Sequence, residues 1–358
     1  AHTVPEGMHP GSDVANLSIF GYDPKVYYSG RAPLEALNLG IELSHKDVAF
    51  RCNIVTLENE SMTDYSAGHI ETPFTTAIIE ELKKHNKYDF IEYYTGVSYR
   101  NIVVWRDFPF DAITETVPPH DISGQGYIDY LPKGNGSEIL NEIMNTSVEI
   151  IRESNVLKEC KDKHKGNPTS VWLWGGGTKP AIETLKERFG LYGHTISAVD
   201  LIHGIGRAAG LTPLYVQGVT GFIDTNYTGK AQALLEALKN VNYVYLHVES
   251  PDESGHMGNI EYKIKSIEDF DAYVVGPVLE GMKKFNHYSV LMMPDHPTPV
   301  SLKTHTSDPV PFCLYDTDLP NDQKKYAQNY SEKSASETGV VVKEGHKLLE
   351  YMVKGDFS

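Results

Sequence analysis

Apolar positions along the chain follow two rhythms. Gly229 to Asn240 carries Ala231, Leu234, Leu235 and Leu238 on one stripe. Asn259 to Phe285 carries Ile260, Ile264, Ile267, Val274 and Val278 at intervals of three, four and seven. Both spacings predict amphipathic helices. Two short unbroken apolar runs, Val241 to Val248 and Ser289 to Met293, are bounded by turn residues and predict buried strands. A third strand-like run covers Val310 to Tyr315. Strands and helices alternate through the C-terminal half, which predicts a mostly parallel, doubly wound α/β sheet. From Ile41 to Arg188 the chain is richer in Thr, Tyr, Glu and Asn. Pro118-Pro119 and Lys161 to Pro168 read as loops or hinges. The expected organisation is a core domain, 1–41 with 186–358, and a smaller α/β domain inserted at 42–185. Asp316 to Gly339 reads as a polar surface loop, and Lys343 to Lys354 as a short closing helix.

Composition narrows the function classes. Acidic residues outnumber basic ones by 48 to 32, a net charge of -16. That excludes a general nucleic-acid binder, which needs a basic excess. It leaves room for an anionic substrate, because arginines and metal can reverse the field inside a cleft. No apolar run approaches the roughly 20 residues that span a bilayer. Ala1 to Pro10 lacks the basic and apolar regions of a signal peptide. The three cysteines, Cys52, Cys160 and Cys313, are too scattered for a disulfide framework. The expected compartment is the cytoplasm, without nucleic-acid or membrane partners; oligomeric state stays open.

The chemistry concentrates in three motifs. Glu249 to His256 follows the first predicted strand and contains Asp252 and His256. Pro294 to Pro299 follows the second and contains Asp295 and His296. Thr304 to Pro309 contains His305 and leads into the third. Ligands of open α/β sheets sit beyond the carboxyl ends of the strands, and carboxylate with imidazole suits divalent cations. The five side chains supply most of a two-metal site, which can clamp the attacking and leaving oxygens of a phosphoryl transfer. The alternative is a set of satisfied polar groups at strand ends. Near the start, Pro10 to Pro24 contains Ser12 and Asp13. Asp13 could be a helix cap; the functional reading makes Ser12 a nucleophile activated by a metal.

These four motifs, in this order, resemble the archaeal-type 2,3-bisphosphoglycerate-independent phosphoglycerate mutases of the alkaline phosphatase superfamily. The likeness extends through Tyr27 to Ala36, Asp47 to Asn53, Gly96 to Arg100, Pro118 to Ile122, Ile196 to Ile202 and Asp224 to Tyr227, and covers Ser12 to about Tyr315. It implies an alkaline-phosphatase-like core and interconversion of 3-phosphoglycerate and 2-phosphoglycerate through a phosphoserine at Ser12. It implies two divalent ions (Mn²⁺, Mg²⁺, Zn²⁺ or Co²⁺) and no bisphosphoglycerate. Asp252, His256 and His305 would form one metal site; Asp295, His296 and Ser12 would belong to the other. The substrate is a small phosphorylated carboxylate. Arginine forks suit both of its anionic groups, so Arg31, Arg51, Arg100, His120 and Asp121 are the candidate substrate-binding residues.

Two departures bear on this reading. The family opens with a strand ending in Asp-Gly, whose Asp is a ligand of the second metal. No such segment precedes Pro10 in the sequence, so a chain beginning at Ala1 is expected to bind metal poorly and turn over little. Asn16 stands where many of these mutases carry histidine. Val14-Ala15-Asn16 and Trp172 to Gly175 are similar to bacterial relatives proposed as homoserine kinases, so an ATP-dependent kinase is the alternative. Other motifs stay bland. Gly175 to Pro180 lacks the spacing of a phosphate loop. Gly204 to Gly210 reads as a helix packed closely on a sheet rather than a dinucleotide fingerprint. His194, His203 and His247 read as core or boundary groups, and His85, His164, His287 and His346 as exposed.

Overall fold

The computed structural model describes residues 1–163, 166–319, 327 and 329–355. His164 and part of the polar tail lie outside the described residues. The chain divides into two compact units, Ser29–Pro180 and Ala1–Tyr28 with Ala181–Ser358.

The Ser29–Pro180 unit is built on five strands: β1 (Val48–Glu58), β2 (Ser61–Asp64), β3 (Ile91–Val97), β4 (Arg100–Trp105) and β5 (Ser170–Thr178). Their order is β2-β1-β4-β3, with β5 on the other side of β1, and every pairing is antiparallel. β1 alternates Phe50, Cys52 and Ile54 with Arg51 and Asn53. Successive strand side chains point to opposite faces, so the apolar set joins the core. There it packs with Ile78, Ile79 and Leu82 of helix Thr72–Lys84 and Leu140, Ile143 and Met144 of helix Ser137–Glu153. On the other face, Ala32 and Ala36 of helix Arg31–Asn38 cover Ala49, Ile102 and Val104. Register sets what is left. Arg51 lies opposite Trp174 of β5, and Asn53 opposite Arg100 of β4. The glycine run at 175–177 ends β5 rather than forming a phosphate loop. Gly30, with φ +143°, lies so near that a Cβ on it would stand 2.2 Å from the Gly176 carbonyl oxygen.

The second unit holds β6 (Gly193–Ile196), β7 (Thr212–Pro213) and β8 (Tyr243–Leu246), parallel in the order β7-β6-β8. Gly206 belongs to helix Asp200–Ala208. A Cβ there would sit 2.3 Å from Thr195 Cγ2, so this glycine lets the helix pack closely on the strand. The predicted parallel alternation stops at β9 (Ser289–Met292) and β10 (Cys313–Asp316), which pair antiparallel. Between them runs a proline-rich connection that has no crossover helix among its described residues, and a parallel return needs such a crossover. The stripe predicted across Asn259–Phe285 divides in two. Val274 and Val278 are buried with Ile196, Tyr227 and Leu234, whereas Ile260, Ile264 and Ile267 are exposed. A π-helical turn at Asp271–Val275 separates helix Ile260–Phe270 from Gly276–Met282. Its wider winding shifts the side-chain register, so the two halves present different faces. No helix among the described residues is long and apolar enough to cross a membrane.

Candidate active site

Helix Ser250–His256 starts just after β8, with Pro251 in its first turn. Asp252 and His256 are four residues apart and therefore share one face. The Asp252 carboxylate lies 3.2 Å from His256 Nε2 and 3.4 Å from His305 Nε2. The connection after β9 brings Asp295 and His296, whose Oδ2 and Nε2 are 3.4 Å apart. Ser12 opens helix Ser12–Ile19, and its Oγ is 3.0 Å from His296 Nε2. All five predicted ligands and the predicted nucleophile thus occupy one cluster. Donor atoms of Asp252, His296 and His305 lie within 4.8 Å of one another. The His296 and His305 rings are 3.9 Å apart. His296 therefore stands near both expected groups of ligands.

The imidazole hydrogen bonds define the chemistry. His256 Nδ1 is 3.0 Å from the Lys303 carbonyl and His305 Nδ1 is 2.9 Å from the Pro10 carbonyl. A carbonyl only accepts, so each Nδ1 carries a proton and each ring turns Nε2 inward, able to offer a lone pair once any second proton is given up. Those two Nε2 atoms are 2.9 Å apart and both face Asp252. Two lone pairs and a carboxylate at this separation require a positive charge among them. In the protein alone a proton supplies it. The hydrogen bond to Asp252 raises His256 to about 9 against the cost of burial. Burial would raise Asp252, but the hydrogen bonds and charges of His256 and His305 hold it well below the usual carboxylate range. Burial likewise opposes ionisation of Asp295, which His296 and His247 hold low. Backbone carbonyls that lock the tautomer are the usual support of metal-binding histidines, so the donor set fits a divalent cation.

Several groups around the cluster escaped the sequence reading. Thr298 donates its hydroxyl to Asp252 Oδ1. Lys263 Nζ donates to the Thr298 carbonyl at 3.3 Å. His247, read as a core or boundary group, lies between Ser197 Oγ (3.2 Å) and Glu249 (3.4 Å), while fully buried Lys230 donates to its carbonyl at 2.9 Å. Thr298 sits inside a motif already marked by Asp295 and His296, which was the available signal. The others carried none.

In the Ser29–Pro180 unit, Arg31 Nε and Arg51 Nη1 reach the same Glu35 oxygen, at 2.8 and 2.5 Å. Burial alone would raise Glu35, but Arg51, Arg31 and Arg100 together hold it low. Two guanidinium groups therefore share one carboxylate, within the field of a third. The Arg51 and Arg31 guanidinium groups lie 4.9 and 5.8 Å from the Trp174 ring, and His120 packs edge-on to the same ring at 5.3 Å. Asn53 Oδ1 accepts from both Arg51 and Trp174. Among the described residues, the buried Nε atoms of Arg51 and Arg100 find no hydrogen-bond partner. Asp121 shares the 3₁₀ turn Pro119–Ile122 with His120, 3.7 Å from its ring. Structure thus gathers Arg31, Arg51 and His120 around Trp174 and sets Arg100 beside Tyr99. Glu35 and Asn53 were missed although Glu35 stands four residues after Arg31 on one helix, the available signal; strand register brings Asn53 to the cluster.

Comparison with known proteins bears directly on this donor set. The family model described as 2,3-bisphosphoglycerate-independent phosphoglycerate mutase matches residues 1–156. A probable mutase of that name from Geobacter sulfurreducens is 50% identical over 99% of this chain and 88% of its own length. The Methanosarcina acetivorans mutase is 47% identical over 94% and 85%. Among solved structures, a Pyrococcus horikoshii protein aligns with TM-score 0.76 at 24% identity, covering 99% of this chain and 85% of its own. The cofactor-independent phosphoglycerate mutase of Thermoplasma acidophilum aligns with TM-score 0.60 at 22% identity, covering 99% and 89%. These two share the fold. Half-identity over nearly the whole length decides the relationship: the chain belongs to the 2,3-bisphosphoglycerate-independent phosphoglycerate mutase family.

Proposed function

We propose that this chain interconverts 3-phosphoglycerate and 2-phosphoglycerate through a phosphoserine at Ser12, with divalent cations on Asp252, His256 and His305 and on Asp295, His296 and Ser12. The observation that carries the reading is the pair of inward-facing Nε2 atoms of His256 and His305, 2.9 Å apart beside Asp252. Bound Mn²⁺, or the related Mg²⁺, Zn²⁺ or Co²⁺, would supply Lewis acidity toward the serine oxygen and the phosphoryl group.

The chain's own groups account for the rest. Ser12 Oγ lies 3.0 Å from His296 Nε2, which places its oxygen within the donor cluster. Attack of Oγ on phosphorus forms the Ser12 phosphate and breaks the bond to the glycerate 3-oxygen, which gains the proton Ser12 lost. The 2-hydroxyl then attacks the phosphoserine, the serine–phosphorus bond breaks, and the proton returns to Ser12. No nucleotide and no bisphosphoglycerate enters the balance. Arg31, Arg51, Arg100 and His120, with Asp121 holding the His120 turn, are the anion-binding groups we assign to the substrate. Guanidinium forks match both its phosphate and its carboxylate.

The test is an assay on the protein with its native N-terminus, stripped of metal and resupplied with Mn²⁺, given 3-phosphoglycerate without bisphosphoglycerate or ATP. The expected result is 2-phosphoglycerate, with a phosphoserine on the Ser12 peptide and none in Ser12→Ala. Metal-loaded protein that makes no product, yet consumes ATP with homoserine, would overturn the mutase reading in favour of a kinase.

A further inference from the structure

Asn16 is fully buried and every polar atom of its side chain is used. Nδ2 donates to the Ser12 carbonyl and to Asp295 Oδ2, both at 2.8 Å. Oδ1 accepts from the Tyr245 hydroxyl at 2.5 Å. The carbonyl and the carboxylate are acceptors only, so the amide nitrogen must face them and Tyr245 must be the donor. Tyr245 is itself stacked on Phe20, 4.2 Å between ring centres, at the far end of the serine helix. The other Asp295 oxygen accepts the backbone N–H of His296 at 3.0 Å. One side chain therefore links the residue that carries the nucleophile, strand β8 and an acidic ligand. It does so with neutral donors, which orient a carboxylate without cancelling its charge. An arginine or lysine there would orient Asp295 but compete with a cation.

We propose that Asn16, buttressed by Tyr245, is a positioning residue that holds Asp295 and Ser12 in one fixed relation and so sets cation affinity at the Asp295, His296 and Ser12 group. The inference rests on the metal reading above. Outer partners of metal ligands commonly shift affinity by 10–100-fold. The test measures Mn²⁺ binding to the full chain by titration calorimetry, together with kcat and KM for 3-phosphoglycerate. It uses Asn16→Leu, which keeps the volume and removes the donors, then Tyr245→Phe and the double variant. Asn16→Leu is expected to weaken one class of Mn²⁺ site by roughly 10–100-fold and to lower kcat with little change in KM. Tyr245→Phe is expected to act in the same direction and less. The double variant is expected to be no worse than Asn16→Leu, because the two residues act in series.

Folded Asn16→Leu that binds Mn²⁺ as the parent does overturns the inference. Where Asn16→Leu fails to fold, Tyr245→Phe decides: weakened binding supports the proposal and parental binding overturns it. A parent chain that binds no Mn²⁺ at all overturns the metal reading itself, a distinct outcome.

Discussion

Replacing Glu35 by alanine isolates the electrostatics of the arginine cluster. The Arg51 side chain is only 3% exposed and the Glu35 side chain 8%, with 2.5 Å between them. Removing the carboxylate leaves a buried guanidinium without its counter-charge. Breaking one side of a buried pair costs about 3–5 kcal/mol. Arg31 is more exposed, at 27%, so its share lies at the surface-bridge level of about 1 kcal/mol or less. All three tryptophans, Trp105, Trp172 and Trp174, lie within Ser29–Pro180. Tryptophan fluorescence therefore reads the unfolding of that unit alone. With a urea slope of roughly 2 kcal/mol/M, the midpoint should fall by about 2 M. Glu35→Gln, which keeps an acceptor but loses the charge, should fall less. Added sulfate should restore Glu35→Ala more than it stabilises the parent, because an anion can take the empty place. A midpoint shift under about 0.5 M at unchanged slope would refute the argument, since the pair would then be worth no more than a surface bridge.

Four further outcomes are expected. Ser12→Ala should lose turnover and the phosphoserine while keeping its fold, as judged by circular dichroism; normal turnover would sink the mechanism. Stripping the parent with a chelator should abolish activity, and Mn²⁺ should restore it; activity that survives complete chelation would count against the metal reading. His203 is buried, with Nε2 donating to the Ser197 carbonyl and Nδ1 accepting from Thr195, and burial lowers it to about 4. Its native pKa lies below the unfolded value of about 6.5, so the unfolded chain takes the proton first; stability should fall from about pH 6.5 to 4 and level off below, by up to roughly 3 kcal/mol. Denaturation of His203→Gln followed by circular dichroism should lack that part of the slope. Gly206→Ala forces a methyl within 2.3 Å of Thr195 Cγ2; it should cost about 1–3 kcal/mol, and an unchanged melting temperature would show that the helix moves away freely.

How far the site could be read in advance differs residue by residue. Asp252 and His256 were legible because four-residue spacing on a helix after a strand is a local property. Asp295 and His296 were legible because an apolar run announced the strand before them. Arg51 was legible only through the resemblance of Asp47 to Asn53; that β1 alternates and turns Arg51 away from the core was decided by the fold. The exposed Ile260, Ile264 and Ile267 misled, because periodicity reports that a face exists and not what covers it. One π-turn then separated them from Val274 and Val278.

The sequence by itself determined which chemistry was present and in what order: serine at a helix start, acids and imidazoles after strands, arginines in the inserted segment. Tertiary structure decided which atoms meet. The two Nε2 atoms face inward because the Lys303 and Pro10 carbonyls, 47 residues from His256 and 295 from His305, take the opposite ring nitrogens. Glu35 gathers its arginines through helix placement and strand register, and Asn16 reaches Asp295 across 279 residues. Helix and strand periods are fixed by backbone geometry over a few residues, so a linear chain displays them. A hydrogen-bond partner hundreds of residues away is set by packing and register, which no local pattern encodes.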